Sequence, residues 1–188
     1  MICKIIRKKD ATTTVWSGGS TTEYFIYPEQ ASYAERDFDI RISRAVVEQT
    51  PSEFTSLPGY MRLLMPLDAH LRLVYQGQEE ISLLPLEVTA FDGGWHTVSH
   101  GVCTDFGLMY NPKFQGRLEA VESGTYACPP GFTGIYAHEE VSIVCACGEF
   151  ELRKGDFFLL NTREKTEVAL EMHDGSRAVL VQALFAKM

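Results

Sequence analysis

Short stretches in which apolar and polar residues alternate run through most of the chain, and they predict an all-β protein. The clearest stretch is residues 38–46, where Phe38 and Ile40 would occupy one face of a strand and Arg41 and Ser43 the other. In a plain sandwich the polar face would meet solvent, whereas in a ligand-holding barrel it could point into the interior.

Other short strands follow at the spacing typical of sandwiches and barrels. They are predicted at residues 1–7, 23–27, 62–65, 71–75, 81–84, 86–91, 104–110, 117–122, 134–137, 141–147, 150–152, 156–160, 167–170 and 177–185. Segments 12–22, 28–37, 50–61 and 95–102 are predicted to be loops or turns, and Gly77-Gln78 is predicted to be a hairpin turn. No segment has the period of a long helix, and a soft boundary between two β halves is predicted near residues 111–116.

The segment that contains Trp16, Gly18, Gly19 and Glu23 is unusual in composition, because it also holds three hydroxyl residues. Glycine lets the backbone approach another group closely, and tryptophan needs both a packing surface and a partner for its N–H. We interpret the segment as an ordered loop. It could plug the end of a barrel or line a ligand pocket, and the sequence leaves both open.

Composition narrows the class of partner. The chain has 188 residues, of which 45% are hydrophobic, enough for one substantial core or two small β units. A net charge of −8 argues against a nucleic-acid partner. The basic cluster at residues 4–9 is interpreted as a solvated edge strand or its turn. No secretory signal and no run of about 20 apolar residues is present, so we expect a cytoplasmic protein without a membrane partner.

The five cysteines are an odd number without framework spacing, which predicts reduced thiols. Cys145 and Cys147 lie two residues apart in a predicted strand, about 6.6 Å apart with parallel side chains. That geometry disfavours a disulfide between them. Because two further zinc ligands are not obvious nearby, both are expected to be buried and inert. Cys103 and Cys128 have no histidine placed as a base, so neither is expected to be catalytic.

Histidines are scattered, at His70, His96, His100, His138 and His173. A metal site in a β-barrel needs two of them at alternate strand positions with a carboxylate nearby, and no segment offers that set. We therefore predict no catalytic metal and no cofactor. A Gly-x-Ser-x-Gly nucleophile motif and a phosphate-binding P-loop are also missing from the sequence.

Two arginines remain as candidates for ligand binding. Arg41 and Arg62 lie in strand-like runs with apolar neighbours, where a guanidinium must find an acceptor and matches a carboxylate in a two-pronged hydrogen bond. Glu23 and Asp105 could be those acceptors. The set could form two internal salt bridges, or an anion site in which the acids orient the arginines.

At this point the chain resembles the HutD/Ves family of small bacterial cupin-like proteins. The resemblance rests on ordered blocks at residues 16–23, 38–45, 54–62, 91–93 and 105–109, with a looser match at residues 154–158. The shorter, acidic Ves branch looks nearer than the HutD branch. Two positions depart from the HutD pattern: Ser17 stands where asparagine is common, and so does Gly107.

The resemblance implies two cupin-type β-barrels packed in one compact bicupin unit, residues 1–188. It also implies that no metal is bound, because the barrels of this family lack the cupin histidines. For HutD it implies a regulatory small-molecule binder that limits histidine degradation, and for Ves a stress-associated role. The two departures alter the hydrogen bonding expected near a pocket, which argues against a ligand from histidine degradation.

We expect a non-catalytic protein that binds a small anionic metabolite, with a homodimer left open. The expected ligand-binding residues are Trp16, Thr22, Glu23, Arg41, Ser43, Arg62, Asp105 and Met109. In this hypothesis the arginines bind the anion, and the side chains of Trp16 and Met109 line the pocket. The alternatives are a metal-free isomerase or lyase with Glu23 or Asp105 as general base, and a structural or protein-binding barrel. A raised pKa of either acid would favour the enzyme.

Overall fold

The structure is a computed structural model that describes residues 1–75 and 80–186. Its strands are β1 (Ile2–Ile6), β2 (Thr12–Trp16), β3 (Gly19–Tyr27), β4 (Ile40–Val47), β5 (Ser52–Glu53), β6 (Met61–Pro66), β7 (Leu71–Tyr75), β8 (Glu80–Leu83), β9 (Thr89–Asp92), β10 (Thr97–His100), β11 (Cys103–Tyr110), β12 (Phe114–Val121), β13 (Gly124–Cys128), β14 (Gly131–Tyr136), β15 (Val141–Cys145), β16 (Gly148–Leu152), β17 (Phe157–Thr162), β18 (Thr166–Glu171) and β19 (Ala178–Phe185). A short 3₁₀ turn spans Lys8–Asp10. The all-β prediction is confirmed. No helix in this part of the chain combines the length and apolar character needed to cross a bilayer.

The chain divides into two compact units. Unit 2 is the continuous segment Thr12–Phe114, and unit 1 joins Met1–Ala11 to the chain from Gln115 onward. The division at 114/115 lies inside the segment 111–116 that the sequence suggested. The return of the first eleven residues to the later half was not predicted from the sequence. The single bicupin unit remains a prediction.

Unit 1 packs two antiparallel sheets face to face. One sheet has the strand order β1-β17-β14-β19-β12, and the other has the order β13-β18-β15-β16. Ile135, Phe158 and Leu180 of the first sheet lie in one buried cluster with Val168 and Leu170 of the second. The basic cluster near the start of the chain does belong to an edge, because β1 is the outer strand of its sheet.

Unit 2 also has two sheets, of order β2-β3-β4-β11-β6-β9 and β5-β10-β7-β8. Leu64 and Phe91 of the larger sheet are buried in one cluster with Leu71, Leu73 and Tyr75 of the smaller. One face of the larger sheet therefore looks into the core of this unit. This is the face on which the candidate site is built.

The segment predicted as an organising loop is a β-hairpin. Trp16 of β2 lies opposite Gly19 of β3, and the indole N–H of Trp16 donates to Thr21 at 3.2 Å. A Cβ at Gly18 would overlap the indole ring, so glycine allows the ring to pack on the turn. The hydroxyl residues read as loop formers are strand residues here, because cross-strand pairing satisfies their backbone groups.

Other boundaries differ from the sequence prediction. Residues 95–102, expected to be a loop, contain β10, and β13 was not predicted. The strand expected at 86–91 begins only at Thr89, because Leu86 has a φ of 71°, which strand geometry excludes. The turn predicted at Gly77-Gln78 lies outside the described residues.

The cysteine prediction is wrong for Cys147. It is exposed rather than buried, and it forms a disulfide with Cys3, with a Cα–Cα distance of 6.4 Å. Cys145 is half-buried and keeps a free thiol. Spacing between neighbouring cysteines does not reveal this bond, because the partners are 144 residues apart and meet only because β1 belongs to unit 1.

Candidate functional site

The two candidate arginines lie in one row across the larger sheet of unit 2. Met109 of β11 is paired with Arg41 of β4 on one side and with Arg62 of β6 on the other. Residues directly opposite each other on neighbouring strands project to the same face. The two guanidinium groups and the Met109 thioether therefore occupy the same face of the sheet.

That face is the interior face. Arg62 is paired with Phe91 of β9, and Phe91 belongs to the core cluster of unit 2. Arg41 and Arg62 are 7% and 5% exposed, so both charges are largely removed from water. The alternation in residues 38–46 thus places its polar face inside the unit, the second of the two options left open by the sequence.

Arg41 is held by partners within the protein. Its Nε donates to the Glu23 carboxylate at 2.6 Å, and its Nη1 lies 3.4 Å from the Ser43 hydroxyl oxygen. The guanidinium carbon lies 4.2 Å from the centre of the Tyr33 ring, a cation–π arrangement. Glu23 therefore orients Arg41 as predicted, and the half-buried Glu23 side chain leaves this ion pair open on one side.

Arg62 is held differently and less completely. One Nη donates to the carbonyl of Thr55, and the guanidinium lies 5.5 Å from the centre of the Phe54 ring. Its Nε is buried and has no hydrogen-bond partner within residues 1–75 and 80–186. Burial lowers the pKa of Arg62, with Arg41 acting in the same direction and Tyr33 and Asp105 opposing it. A buried donor without an acceptor is costly, so this nitrogen indicates a missing partner.

Asp105 lies further along β11 than the arginine row, opposite Ala45 and Pro66. It is 6% exposed, and its carboxylate makes no salt bridge with Arg62 in the described part of the chain. Burial raises the pKa of Asp105 to about 7, although Arg44 and Arg62 act to lower it. The prediction that Asp105 fixes Arg62 by direct pairing is wrong, since four strand positions, about 13 Å, separate it from Met109.

Open space adjoins the arginine row at Gly107. This glycine of β11 is paired with Ser43 and Leu64, so it belongs to the same face as Met109 two residues on. Among residues 1–75 and 80–186, a Cβ built there would have one neighbour within 4 Å, the carbonyl oxygen of Leu63 at 3.5 Å. The described residues therefore leave room for a small group at Gly107, opposite Ser43 and one row from Arg41.

Comparison with known proteins places the chain in a family. The HutD family profile matches residues 8–180, which is nearly the whole chain. The chain belongs to the HutD family. No curated protein matches it. The assignment to the Ves branch remains a prediction.

Solved structures agree with the fold of this HutD family protein. HutD from Pseudomonas fluorescens SBW25 is 23% identical with a TM-score of 0.80, covering 99% of this chain and 100% of its own. The conserved protein of unknown function PA5104 from Pseudomonas aeruginosa PAO1 is 23% identical with a TM-score of 0.86, covering 98% and 100%. The bacterial pirin YhhW from Escherichia coli, in complex with nickel(II), is 9% identical with a TM-score of 0.68, covering 99% and 100%. At these identities the matches establish the cupin-like fold alone.

Two predicted site residues of this HutD family protein lie away from the arginine row. Thr22 is paired with Arg44, so it faces the side opposite Glu23, and its hydroxyl bonds Thr13 at 2.9 Å. Trp16 is on the interior side of the hairpin but opposite Gly19, about 13 Å along β3 from Glu23. Strand alternation therefore excludes Thr22 from the arginine site, and distance along the strand excludes Trp16.

Three residues near the arginines were not anticipated from the sequence. Tyr33 comes from the polar segment before β4, and Phe54 and Thr55 from the segment after β5. The available signal was an aromatic residue in each of two otherwise polar segments, since a guanidinium packs well on an aromatic face.

A second concave region of this HutD family protein lies in unit 1. It is a cleft of about 710 Å³ whose lining includes Arg7, Lys8, Arg153 and Asp156. Asp156 is 5% exposed and accepts hydrogen bonds from Arg7 Nη1 at 2.7 Å and from the backbone N–H of Lys8 and Arg153. Burial acts to raise the pKa of Asp156, but these donors outweigh it and the pKa is lowered. This acid already has its partners and ties the turn after β1 to the turn before β17.

The two remaining buried thiols do not suit nucleophilic catalysis. Burial raises the pKa of Cys103 to about 12, and burial also raises that of Cys128. A thiolate is the reactive form, so neither residue is activated.

Proposed function

We propose that this HutD family protein binds a small carboxylate on the interior face of unit 2, without catalysing its conversion. The observation that carries the proposal is the buried Arg62 Nε, which has no acceptor among the described residues. A carboxylate oxygen is a strong acceptor for a guanidinium N–H. A ligand of this class would satisfy the donor that the protein leaves unpaired.

Charge supports the same ligand class. Arg41 lowers the pKa of Arg62, so the two cations are close enough to destabilise each other. One carboxylate, that of Glu23, forms a salt bridge with the pair in the described residues. A bound anion would offset the remaining positive charge in a place where water cannot do so.

Space and orientation also favour a small ligand. Tyr33 and Phe54 pack on the two guanidinium groups, so the arginines are held in place before any ligand arrives. The open space at Gly107 lies opposite Ser43 and one row from Arg41. Formate and acetate are suitable first probes because of their size, and the HutD structure from Pseudomonas fluorescens SBW25 was obtained in a formate condition.

Calorimetric titration with sodium formate and sodium acetate tests the proposal. Arg62→Met keeps the apolar length of the side chain and removes its donors. Because a hydrogen bond to a charged group contributes about 1.5–3 kcal/mol, we expect affinity to fall by at least about tenfold. The matched control is Arg72→Met, which removes the exposed Arg72–Glu80 pair of the same unit and should leave affinity unchanged.

A second variant tests the location rather than the charge. Gly107→Val places a β-branched residue in the open volume without removing any polar group. We expect carboxylate binding to be lost while the protein stays folded. Equal affinity in wild type, Arg62→Met and Gly107→Val would overturn the proposal, as would no binding of either probe by wild type.

A regulatory or stress-related role completes this proposal. A binder that does not convert its ligand reports the ligand's concentration, which is what a regulator needs. Membership of the HutD family is the support for this part.

One observation favours a second function, a metal-free isomerase or lyase. A carboxyl whose pKa burial raises to about 7 is suited to general acid–base catalysis near neutral pH, and Asp105 is such a group. The two functions differ in the behaviour of Asp105→Asn. A binder should retain carboxylate affinity in this variant, whereas an enzyme should lose deuterium exchange into an α-keto acid followed by NMR in D₂O.

A further inference from the structure

Three sulfur atoms converge in unit 1. The Sγ atoms of Cys3, Cys145 and Cys147 all lie within 4.8 Å of one another. Cys3 belongs to the edge strand β1, Cys145 ends β15, and Cys147 lies in the turn between β15 and β16. The group therefore joins the two sheets of this unit.

A structural staple needs two of these residues. Cys3 and Cys147 form the disulfide, while Cys145 keeps its thiol directly beside it. Cys147 is exposed and the other two are half-buried, so small solutes can reach the cluster. A third sulfur at this distance from both bonded sulfurs has no role in a simple staple.

We propose that the reduced form of this cluster is a binding site for one thiophilic d10 metal ion, and that the Cys3–Cys147 disulfide closes the site. Thiolates select ions of this kind, Zn²⁺ and Cu⁺ in particular. With Zn–S bonds of about 2.3 Å, tetrahedral geometry places sulfurs about 3.8 Å apart. Sulfurs within 4.8 Å of one another reach that spacing through small side-chain movements.

The three thiolates leave one tetrahedral position for a water molecule or another exogenous ligand. A closed structural zinc site has four protein ligands, whereas three with an open position is the arrangement of an exchangeable or reactive site. Binding is coupled to protons, because each thiol must lose one to become a ligand.

Reduction opens the site and oxidation closes it, both by thiol–disulfide exchange. To open it, an external dithiol gives up two electrons and two protons, which convert the Cys3–Cys147 bond to two thiols while the dithiol becomes a disulfide. To close it, a low-molecular-weight disulfide takes two electrons from the two cysteines and leaves as two thiols. Closure removes two of the three metal ligands, so the ion is released.

Zinc titration of the oxidised and reduced protein tests the proposal. The protein is reduced with a water-soluble phosphine, which becomes a phosphine oxide, and is desalted without oxygen before calorimetry with Zn²⁺. We expect one Zn²⁺ per reduced chain and none per oxidised chain. Affinity of the reduced protein should rise with pH, since protons are released on binding.

Two variants locate the site. Cys145→Ser keeps the disulfide partners and removes the third sulfur, so the affinity of the reduced form should fall at least 100-fold. Cys103→Ala removes a buried thiol of unit 2 and should leave zinc affinity unchanged. With Cd²⁺ as probe, the thiolate-to-metal absorption per ion should be about two-thirds as strong in Cys145→Ser as in wild type.

Far-UV circular dichroism checks that reduction leaves the protein folded. If the reduced chain unfolds, Zn²⁺ should restore its spectrum, because metal binding and folding are then coupled. Failure of Zn²⁺ to bind the reduced protein or to restore its fold would overturn the proposal. So would equal affinity in wild type and Cys145→Ser.

Discussion

The two units each keep a glycine in the middle strand of their larger sheet, for opposite reasons. In unit 1, a Cβ at Gly134 of β14 would overlap the Phe157 ring and lie 2.8 Å from Val181 Cγ1. In unit 2, a Cβ at Gly107 of β11 would have a single neighbour within 4 Å in the part of the chain that the structure describes, the Leu63 carbonyl oxygen. Glycine in unit 1 therefore serves packing, and glycine in unit 2 leaves a space.

Their buried aspartates differ in the same way. Asp156 in unit 1 is 5% exposed and has a lowered pKa, while Asp105 in unit 2 is 6% exposed and has a raised one. Solvent exposure alone therefore does not decide whether the pKa of a buried carboxyl rises or falls. Three hydrogen-bond donors stabilise the charged form of Asp156 and lower its pKa. No hydrogen bond within the described residues does the same for Asp105, so desolvation raises its pKa.

Cross-strand rows complete the comparison. Phe158, Ile135 and Leu180 form an apolar row in unit 1. The next row pairs Thr133 with Gln182, whose amide nitrogen donates to the Ala127 carbonyl at 2.9 Å and to the Thr133 hydroxyl at 3.2 Å. The corresponding row in unit 2 is Arg41, Met109 and Arg62, in which the buried Arg62 Nε has no partner among the described residues. Unit 1 therefore buries rows whose polar groups are paired, whereas unit 2 retains charged groups in its buried row; under the proposed function, a ligand would offset the cost of those charges in stability.

The largest expected effect concerns pH and Asp105. Since its folded pKa of about 7 lies above the usual 3.8, the folded protein holds the proton more tightly than the unfolded chain between these values. Stability from this group is full below about pH 4 and is lost as pH rises to 7. Asp105→Asn should therefore match wild type near pH 4 and gain, relative to it, up to about 4 kcal/mol by pH 7.

Urea denaturation of both proteins from pH 4 to 8 measures this difference. Asp156→Asn is the matched control from unit 1. Its parent carboxyl has a lowered pKa, so its contribution is present above about pH 4 and disappears below it. This variant should be less stable than wild type throughout pH 5–8, by an amount that does not vary. A pH-independent gain in Asp105→Asn would contradict the raised pKa.

A middle-sized effect is expected at Gly134. Gly134→Ala forces the added methyl group against Phe157 and Val181, so we expect a loss of about 1–3 kcal/mol in the free energy of unfolding. Denaturant titration at neutral pH provides the measurement. Carboxylate affinity should not change, because Gly134 belongs to the other unit from the arginines. An equally stable Gly134→Ala protein would show that the strand yields to the methyl group.

The smallest effect is expected at Gly107. Gly107→Ala places a methyl group in open space at a position without positive φ, so stability should rise by about 0.4–1 kcal/mol. The same titration detects this rise. Carboxylate affinity should fall modestly as the space narrows, and more in Gly107→Val. A destabilised Gly107→Ala variant would mean that the space is already filled in solution.

Local patterns in the sequence were sufficient for part of the site. Alternation placed Arg41 and Ser43 on one face, and blocks shared with a known family indicated the cupin-like fold and Arg62. Both features can be obtained from residues that are close together in the sequence, given the two-residue period of a strand. Glu23 was expected as an acceptor for one of the two arginines, and its pairing with Arg41 follows from the sheet register.

Features that depend on strand pairing could not be obtained in this way. The order and register of the strands must be known to place Met109 between the two arginines. The same is true of the contacts of Tyr33 and Phe54 with the guanidinium groups and of the Cys3–Cys147 disulfide. Thr22 was expected to add a hydroxyl contact to the ligand, and Trp16 was expected to pack beside it. Strand alternation points Thr22 to the face opposite Glu23, and the β2–β3 pairing places Trp16 beside Gly19, at the far end of β3 from Glu23.

The return of the first strand to unit 1 affects how the protein is made. β1 is paired with β17, so Ile2 must wait for Asn161 to leave the ribosome before it finds its partner. At ordinary synthesis rates this wait is on the order of ten seconds. The arginine-bearing unit is continuous from Thr12 to Phe114, so it can finish folding during that interval. We expect a nascent chain stopped shortly after residue 114 to carry one finished unit behind a loose leading strand.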